Sequence, residues 1–127
     1  MTIACLKFQS PVTFVVASLI LLLSLGTAAQ SEEVKLTGKQ ITDVLSEKEV
    51  KGYDNGQTST QIFRSNGATF YSIDQAQQIG NWKIVAGQYC SVWPPSEQWV
   101  CYDVFQEGSA IRFVSHSGTS VTYILTN

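Results

Sequence analysis

Apolar residues follow three different spacings along this chain. Residues 12–25 form an almost continuous apolar run. Ile41, Val44 and Leu45 then recur at helical spacing, and from Val50 onward apolar and polar residues roughly alternate. Helical spacing is typical of one buried helix face, and alternation is typical of half-buried strands. The sequence therefore predicts an apolar N-terminal segment, one short helix and a β-rich remainder.

The short helix is predicted to begin at a capping motif. Thr37 can accept a hydrogen bond from the first turn, and Gln40, three residues later, can reach back to Thr37. Leu36 and Ile41 occupy the two positions at which apolar side chains fix the angle of approach to a helix. We expect the helix to end near residues 46–47 and to press its apolar face onto a sheet.

Turn-forming pairs divide the alternating part of the chain into short segments. Asn55-Gly56 and Asn66-Gly67 are the strongest hairpin signals, because both central residues of a type I′ turn need positive φ. The predicted strands span residues 50–53, 58–64, 68–73, 80–85, 88–92, 100–105, 110–115 and 121–125. Short strands at this spacing favour an antiparallel meander closed into a small barrel, with a two-sheet sandwich as the alternative. The predicted fold is mainly β, with about eight strands and one short N-terminal helix.

The N-terminal apolar segment has the three parts of a secretory signal peptide. Lys7 supplies the basic start, the apolar run follows, and small residues at positions 26–29 fit a cleavage site. An uncleaved anchor is the alternative, but a spanning helix needs about 20 apolar residues and this run is shorter. We predict a signal peptide over 1–29, a flexible leader over 30–35 and a single β-rich domain over 36–127. The mature protein would be periplasmic or secreted, without a stable membrane anchor.

Charge and motif content exclude several classes of partner. The chain carries eight basic and ten acidic residues, and its Lys and Arg are scattered rather than clustered. Binding to nucleic acid needs clustered basic residues, so no nucleic-acid partner is predicted. The sequence also lacks a glycine-rich phosphate loop, an Asp-x-Asp calcium loop and a His-x-x-x-His pattern. No cofactor or metal is therefore predicted.

Two of the three cysteines remain after the predicted cleavage. Cys5 belongs to the signal segment, which leaves Cys90 and Cys101. In an oxidising compartment two cysteines have one possible pairing. A redox-active pair would favour Cys-x-x-Cys spacing, and a zinc site would need about four ligands. We predict a structural disulfide between Cys90 and Cys101.

Aromatic residues are concentrated around these two cysteines. Tyr89, Trp93, Trp99 and Tyr102 flank a loop that contains Pro94-Pro95. If the disulfide staples a hairpin, rigid aromatic side chains at its tip would make good binding anchors, because they lose little conformational entropy on contact. The alternative is that both tryptophans simply cover one end of a small core.

A second local signature, Gly80-Asn81-Trp82, stands at the start of a predicted strand. A glycine beside a tryptophan usually lets the large ring fold over the backbone at a barrel end. Alternatively Trp82 could form the floor of a ligand cavity, since small eight-stranded barrels either fill with side chains or hold one small ligand. Trp82 is therefore included among the candidate binding residues.

The aromatic and cysteine pattern resembles that of a known group of sequences. The order Gly80-x-Trp82, Tyr89-Cys90-x-x-Trp93 and Cys101-Tyr102-x-Val104 follows a leader that ends in Leu36-Thr37-Gly38-x-x-Ile41. This is similar to small uncharacterised secreted or periplasmic proteins of alphaproteobacteria, which share a Gly-x-Trp … Cys-x-x-Trp … Cys block. The resemblance implies an exported β domain with a disulfide and no assigned activity. The Pro94-Pro95 insertion departs from the group and leaves the shape of the hairpin tip open.

The leading functional prediction is a non-catalytic exported binding protein. It would contact a protein or an envelope component through the stapled aromatic hairpin, and inhibition is one form that such binding could take. The alternative is a small-molecule carrier with an apolar barrel cavity lined by Trp82, Phe70 and Phe113. A hydrolase would require His116 to lie within hydrogen-bond reach of a serine and a carboxylate, for which Ser91 or Ser115 and Asp103 are available on paper. No nucleophile elbow is present, and an enzyme is not predicted.

Overall fold

A computed structural model describes residues 28–54 and 56–126 of the 127-residue chain. The predicted signal peptide, except for its last two alanines, and Asn55 of the first hairpin signal lie outside the described residues. The described elements are one helix and nine strands: β1 (Val34–Lys35), α1 (Gly38–Leu45), β2 (Lys48–Asp54), β3 (Gln57–Phe63), β4 (Ala68–Ile73), β5 (Ala76–Val85), β6 (Gln88–Val92), β7 (Val100–Glu107), β8 (Ala110–Ser115) and β9 (Ser120–Thr126). Within these ranges, no helix is long and apolar enough to cross a membrane.

The strands β2 to β9 form a closed antiparallel barrel. Each pairs with the next along the chain, and β9 returns to pair with β2. β1 is an extra strand on the edge of β7, where Val34 lies opposite Gln106 and Lys35 opposite Phe105. The predicted barrel is confirmed, and the sandwich is not the architecture. Closure pairs the two outer strands of the meander with each other, so the barrel avoids the exposed edges of an open sheet.

The β3–β4 hairpin lies where the sequence predicts it, but its turn type differs from the predicted one. The Asn66-Gly67 hairpin is present between β3 and β4, but its connection spans residues 64–67. Gly67 has a φ of 91° and donates its N–H to the Arg64 carbonyl (3.0 Å), while Asn66 Oδ1 accepts from the Ala68 N–H (3.0 Å). The predicted two-residue type I′ turn is therefore wrong here. That geometry occurs instead at Ala86-Gly87, where both residues have positive φ.

Helix α1 closes one end of the barrel. Thr37 Oγ1 accepts from the Gln40 N–H (3.3 Å) and Gln40 Oε1 accepts from the Thr37 N–H (2.9 Å), so the predicted capping box is confirmed. Ile41 and Leu45 are fully buried and join Leu36 in the hydrophobic core. The helix contacts β2, β5 and β6 across this end.

The half of the barrel next to α1 is filled with packed side chains. The core contains Val50, Phe63, Trp82, Val104 and Ile111, all buried. The Phe63 ring meets the Trp82 ring edge-on at 5.7 Å, and the Trp82 indole N–H donates to a backbone carbonyl of the β3–β4 connection (2.9 Å). Trp82 thus satisfies its one polar group inside the packed core.

The disulfide between Cys90 and Cys101 is confirmed. These residues lie directly opposite each other in the β6–β7 pairing, which comprises three registered pairs. Beyond the bridge, the Pro94-Pro95 peptide is cis, and the Ser96 N–H donates to the Trp93 carbonyl (3.0 Å) to close the turn at the hairpin tip. The predicted stapled hairpin is therefore present.

Candidate functional site

The end of the barrel opposite α1 contains a cavity of about 200 Å³. Side chains from β3 to β9 and from the residue following β6 line it. They are Gln61, Tyr71, Gln78, Tyr89, Ser91, Trp93, Tyr102, Phe113, Val121 and Tyr123. Six of these ten residues are aromatic, and the other four are two glutamines, one serine and one valine.

Gln61 organises the polar part of the cavity lining. Its Nε2 donates to Thr69 Oγ1 (3.0 Å) and to Tyr89 Oη (3.1 Å). Thr69 Oγ1 gives its own proton to the Ile62 carbonyl (3.0 Å), so it must accept from Gln61, and this fixes the orientation of the amide. Because Tyr89 Oη accepts from Gln61, the phenol proton is directed to another acceptor. The Tyr89 hydroxyl is therefore a positioned hydrogen-bond donor.

The Tyr89 phenol stays neutral near neutral pH. Burial raises its pKa to about 12, and hydrogen bonds with Ser91 and Gln61 offset only part of that effect. Tyr89 has 3% of its surface exposed, as expected for a group whose ionised form is so disfavoured. Among the described residues that line the cavity, none is Asp, Glu, Lys, Arg or His. The cavity is therefore uncharged.

Trp93 forms one wall of the cavity by folding across Gly80. A Cβ at Gly80 would lie 2.7 Å from Trp93 Cε3 and 2.6 Å from the Val92 carbonyl oxygen, so only glycine fits there. The Tyr71 ring meets the Trp93 ring edge-on at 6.2 Å. The expectation that Gly80 makes room for Trp82 is wrong. Residues 80 and 82 lie side by side on one face of β5, and the ring that crosses the glycine comes from the end of the neighbouring strand.

Tyr123 forms part of the opposite wall by lying across Gly52. A Cβ at Gly52 would approach Tyr123 Cε1 to 2.6 Å. The β2–β9 pairing runs only as far as Lys51 opposite Ile124, so Gly52 lies just beyond the last registered pair. A second depression, which shares Tyr71, Val121 and Tyr123 with the cavity, lies where these strands separate. The cavity therefore adjoins a side groove in the barrel wall.

Three of the five predicted binding residues meet at the cavity: Tyr89, Tyr102 and Trp93. Trp82 lies in the packed core, where its ring stacks against Tyr89 at 6.1 Å with a 24° interplanar angle. Trp99 lies away from the cavity, and Lys83 Nζ stands 3.9 Å from the centre of its ring. The fold thus separates the two tryptophans of the hairpin.

The cavity lining predicted for a carrier is partly wrong. Phe113 does line the cavity, but Phe70 is 38% exposed and pairs with Ile79 on the outer surface. Side chains alternate between the two faces of a strand, so it is Tyr71, next to Phe70, that points inward. Sequence analysis missed Tyr71, Tyr123 and Gln61. Gln61 could have been found, because it lies two residues before the buried Phe63 on β3 and side chains two apart on a strand point to the same face.

The hypothetical catalytic triad of Ser91, Asp103 and His116 does not assemble. Ser91 faces the cavity, whereas Asp103 accepts from Gln88 Nε2 (3.1 Å) and forms an ion pair with Lys35 (3.1 Å). The Gln88 hydrogen bond and the Lys35 ammonium lower the pKa of Asp103. His116 is exposed in the turn after β8. Among the described residues, no three His, Cys, Asp or Glu side chains are placed to hold a metal ion.

No protein-family model, curated protein or solved structure matches this chain.

Proposed function

We propose that this protein is a non-catalytic binding protein that holds a small molecule in the open end of its barrel. The observation that carries the proposal is the contrast between the two ends. The end next to α1 is packed with buried side chains, whereas the other end has an uncharged cavity with a positioned polar cluster. Eight-stranded barrels are wide enough to hold one small ligand when side chains do not fill them.

The volume of the cavity limits the part of a ligand that it can enclose to about one ring. An apolar cavity of about 150 Å³ binds benzene. A cavity of about 200 Å³ leaves space for one ring with a few additional atoms. Of the two functions expected from the sequence, the carrier therefore agrees better with the geometry. Its cavity is more polar than the apolar one envisaged from the sequence.

We also propose that binding takes place outside the cytoplasm. The Cys90–Cys101 disulfide supports an oxidising compartment, where such bonds form and persist. The signal-like N-terminal segment supports export to the periplasm or beyond. The ligand would then be a small molecule of the cell envelope or of the surroundings.

Native mass spectrometry of protein purified from the envelope fraction of its own host tests the proposal. Val121, at the cavity mouth, and Val85, outside it, are 43% and 45% exposed, so Val121→Trp and Val85→Trp form a matched pair. We expect a bound small-molecule mass on the wild type and on V85W, and its loss from V121W. A wild-type protein without any bound mass, or a mass that V121W retains, would contradict the proposal.

Contact with a partner protein through the hairpin is a second candidate function. Trp99 and Val100 are 37% and 43% exposed beside a tip, residues 94–98, that is exposed throughout. Rigid aromatic and proline side chains on a closed turn are suited to such contact. Crosslinking in the envelope should then depend on Trp99 and not on the cavity. Partner capture that W99A loses and V121W retains would favour this function, whereas identical capture by both variants would count against it.

A further inference from the structure

We infer that the ligand is an uncharged ring compound that carries both a hydrogen-bond donor and an acceptor, as an amide or a hydroxyl compound does. The inference rests on the proposed small-molecule function and adds the chemical class of the ligand. It follows from three properties of the cavity: its lack of charge, the polarity of the Gln61–Tyr89 cluster, and the aromatic character of its walls.

Lack of charge excludes ionic ligands. Lys83 and Asp103, on the strands that form the wall, make their contacts elsewhere, with Trp99 and with Lys35 and Gln88 respectively. Tyr89 also remains neutral inside the cavity. An acid or an ammonium ion would lose its hydration without meeting a counter-charge, which is strongly unfavourable. A neutral ligand avoids this penalty.

The polar cluster requires a ligand with both kinds of hydrogen-bonding group. Both donations made by Gln61 Nε2 are directed to Thr69 and Tyr89, so the amide offers a ligand its carbonyl oxygen. The Tyr89 and Ser91 hydroxyls are hydrogen-bonded to each other, so this pair has one O–H left to donate to a ligand. A purely apolar ring would displace water from these groups and leave them without partners, which costs affinity. An amide or hydroxyl substituent restores the lost hydrogen bonds.

The walls are suited to a ring. Trp93 and Tyr71 stand on one side and are held edge-to-face. Tyr102 and Phe113 stand on the other, also edge-to-face, with their ring centres 6.4 Å apart. The Phe113 ring also meets the Tyr89 and Tyr123 rings edge-on, so a planar ligand finds preordered surfaces to pack against.

Benzamide, benzoate, benzamidine and toluene form a probe series that tests the inference. The four share one ring and differ in charge or in hydrogen-bonding capacity at a single position. Ligand-observed NMR titrations at pH 7 on the oxidised protein would compare them. We expect benzamide to bind at least about tenfold more tightly than toluene, from the regained hydrogen bonds. We expect it to exceed benzoate and benzamidinium by about 100-fold or more, from the cost of burying an unpaired ion.

Four variants locate the binding. V121W should abolish benzamide binding and V85W should preserve it. Ser91→Ala should weaken benzamide by several-fold and leave toluene unchanged, because only benzamide uses the hydroxyl group. Tyr89→Phe should behave in the same way, and S91A provides the test should Y89F fail to fold.

The outcomes separate this inference from the proposed function. Tighter binding of benzoate or benzamidinium would overturn the assignment of a neutral ligand while leaving small-molecule binding intact. Toluene binding as tightly as benzamide would overturn the role of the polar cluster. If none of the probes binds, the small molecule found on the native protein is identified and its formal charge at pH 7 tests the inference. A charged native ligand overturns it. If the native protein carries no mass either, the proposed function fails as well.

Discussion

Loss of the Cys90–Cys101 disulfide should destabilise the protein by about 3 kcal/mol. The two cysteines are 11 residues apart, and the chain-entropy relation for a loop of this length gives about 3 kcal/mol at 25 °C. Small domains are stable by only about 5–15 kcal/mol in total, so one bond accounts for a large share. The effect is expected in the unfolded state, because the bond joins residues that β6–β7 pairing already holds opposite each other.

Urea unfolding of the oxidised and the reduced protein measures this effect. With an m-value of about 1–3 kcal/mol/M, the midpoint should fall by about 1–3 M on reduction. The m-value should also rise, because an unbridged unfolded chain exposes more surface. The double variant C90A/C101A should match the reduced wild type and should not respond to reductant.

Benzamide titration of the reduced, folded protein tests where the bond acts. Tyr89 and Tyr102, which neighbour the cysteines, line the cavity, so a distorted wall would alter probe affinity. We expect the affinity to change by less than about twofold, as an effect on the unfolded state requires. A stability loss below about 1 kcal/mol, or a folded reduced protein that no longer binds, would refute the reasoning.

Three further predictions concern single side chains. Gly80→Ala should lower the free energy of unfolding, measured in urea, by about 1–3 kcal/mol, because the added Cβ would press on Trp93 and on the backbone. An unchanged free energy of unfolding would disprove this close approach. Thr37→Ala should remove the helix cap and lower the free energy of unfolding by about 1 kcal/mol. A change below a few tenths of a kcal/mol would mean that the cap is dispensable. A hydrogen bond from the Ser65 N–H lowers the pKa of Glu47, so this group stabilises the fold above its unfolded pKa of about 4.3 and loses that effect as pH falls. In urea unfolding across pH 3–6, the free energy of unfolding should therefore fall less on acidification for Glu47→Gln than for the wild type. Equal decreases would exclude this role.

The strands could be predicted where their own residues alternate. The boundaries predicted for β4, β6 and β8 agree with the structure. The prediction for β5 began at Gly80, whereas the strand begins at Ala76. Residues 76–79 pair with β4 alone and lie beyond the β5–β6 register. All four are solvent-exposed and carry no clear alternation. Cross-strand pairing, rather than local pattern, makes this segment a strand.

The site could be predicted only where a chemical marker was present. The cysteines drew attention to Tyr89, Tyr102 and Trp93, which do line the cavity. Tyr71 and Tyr123 have no such marker, and their inward orientation depends on the register with which the barrel closes. A shift of one residue would have put Phe70 inside instead, as the carrier hypothesis assumed. The register of distant strands therefore limited the prediction of the site.

Along single strands, the inward side chains change from apolar ones near α1 to ones with polar groups near the open end. This change argues that the cavity is not a defect in the packing of the core. On β3 the inward residues run from Phe63 to Gln61, and on β7 from Val104 to Tyr102, in each case from the end near α1 toward the open end. A dry void of about 200 Å³ in an apolar core would cost about 5 kcal/mol at about 24 cal/mol per Å³. Amide and hydroxyl groups instead allow water to fill the space, which removes most of that penalty. A ligand that replaces this water must offer the same hydrogen bonds, so the polarity that stabilises the unliganded barrel also selects what can bind in it.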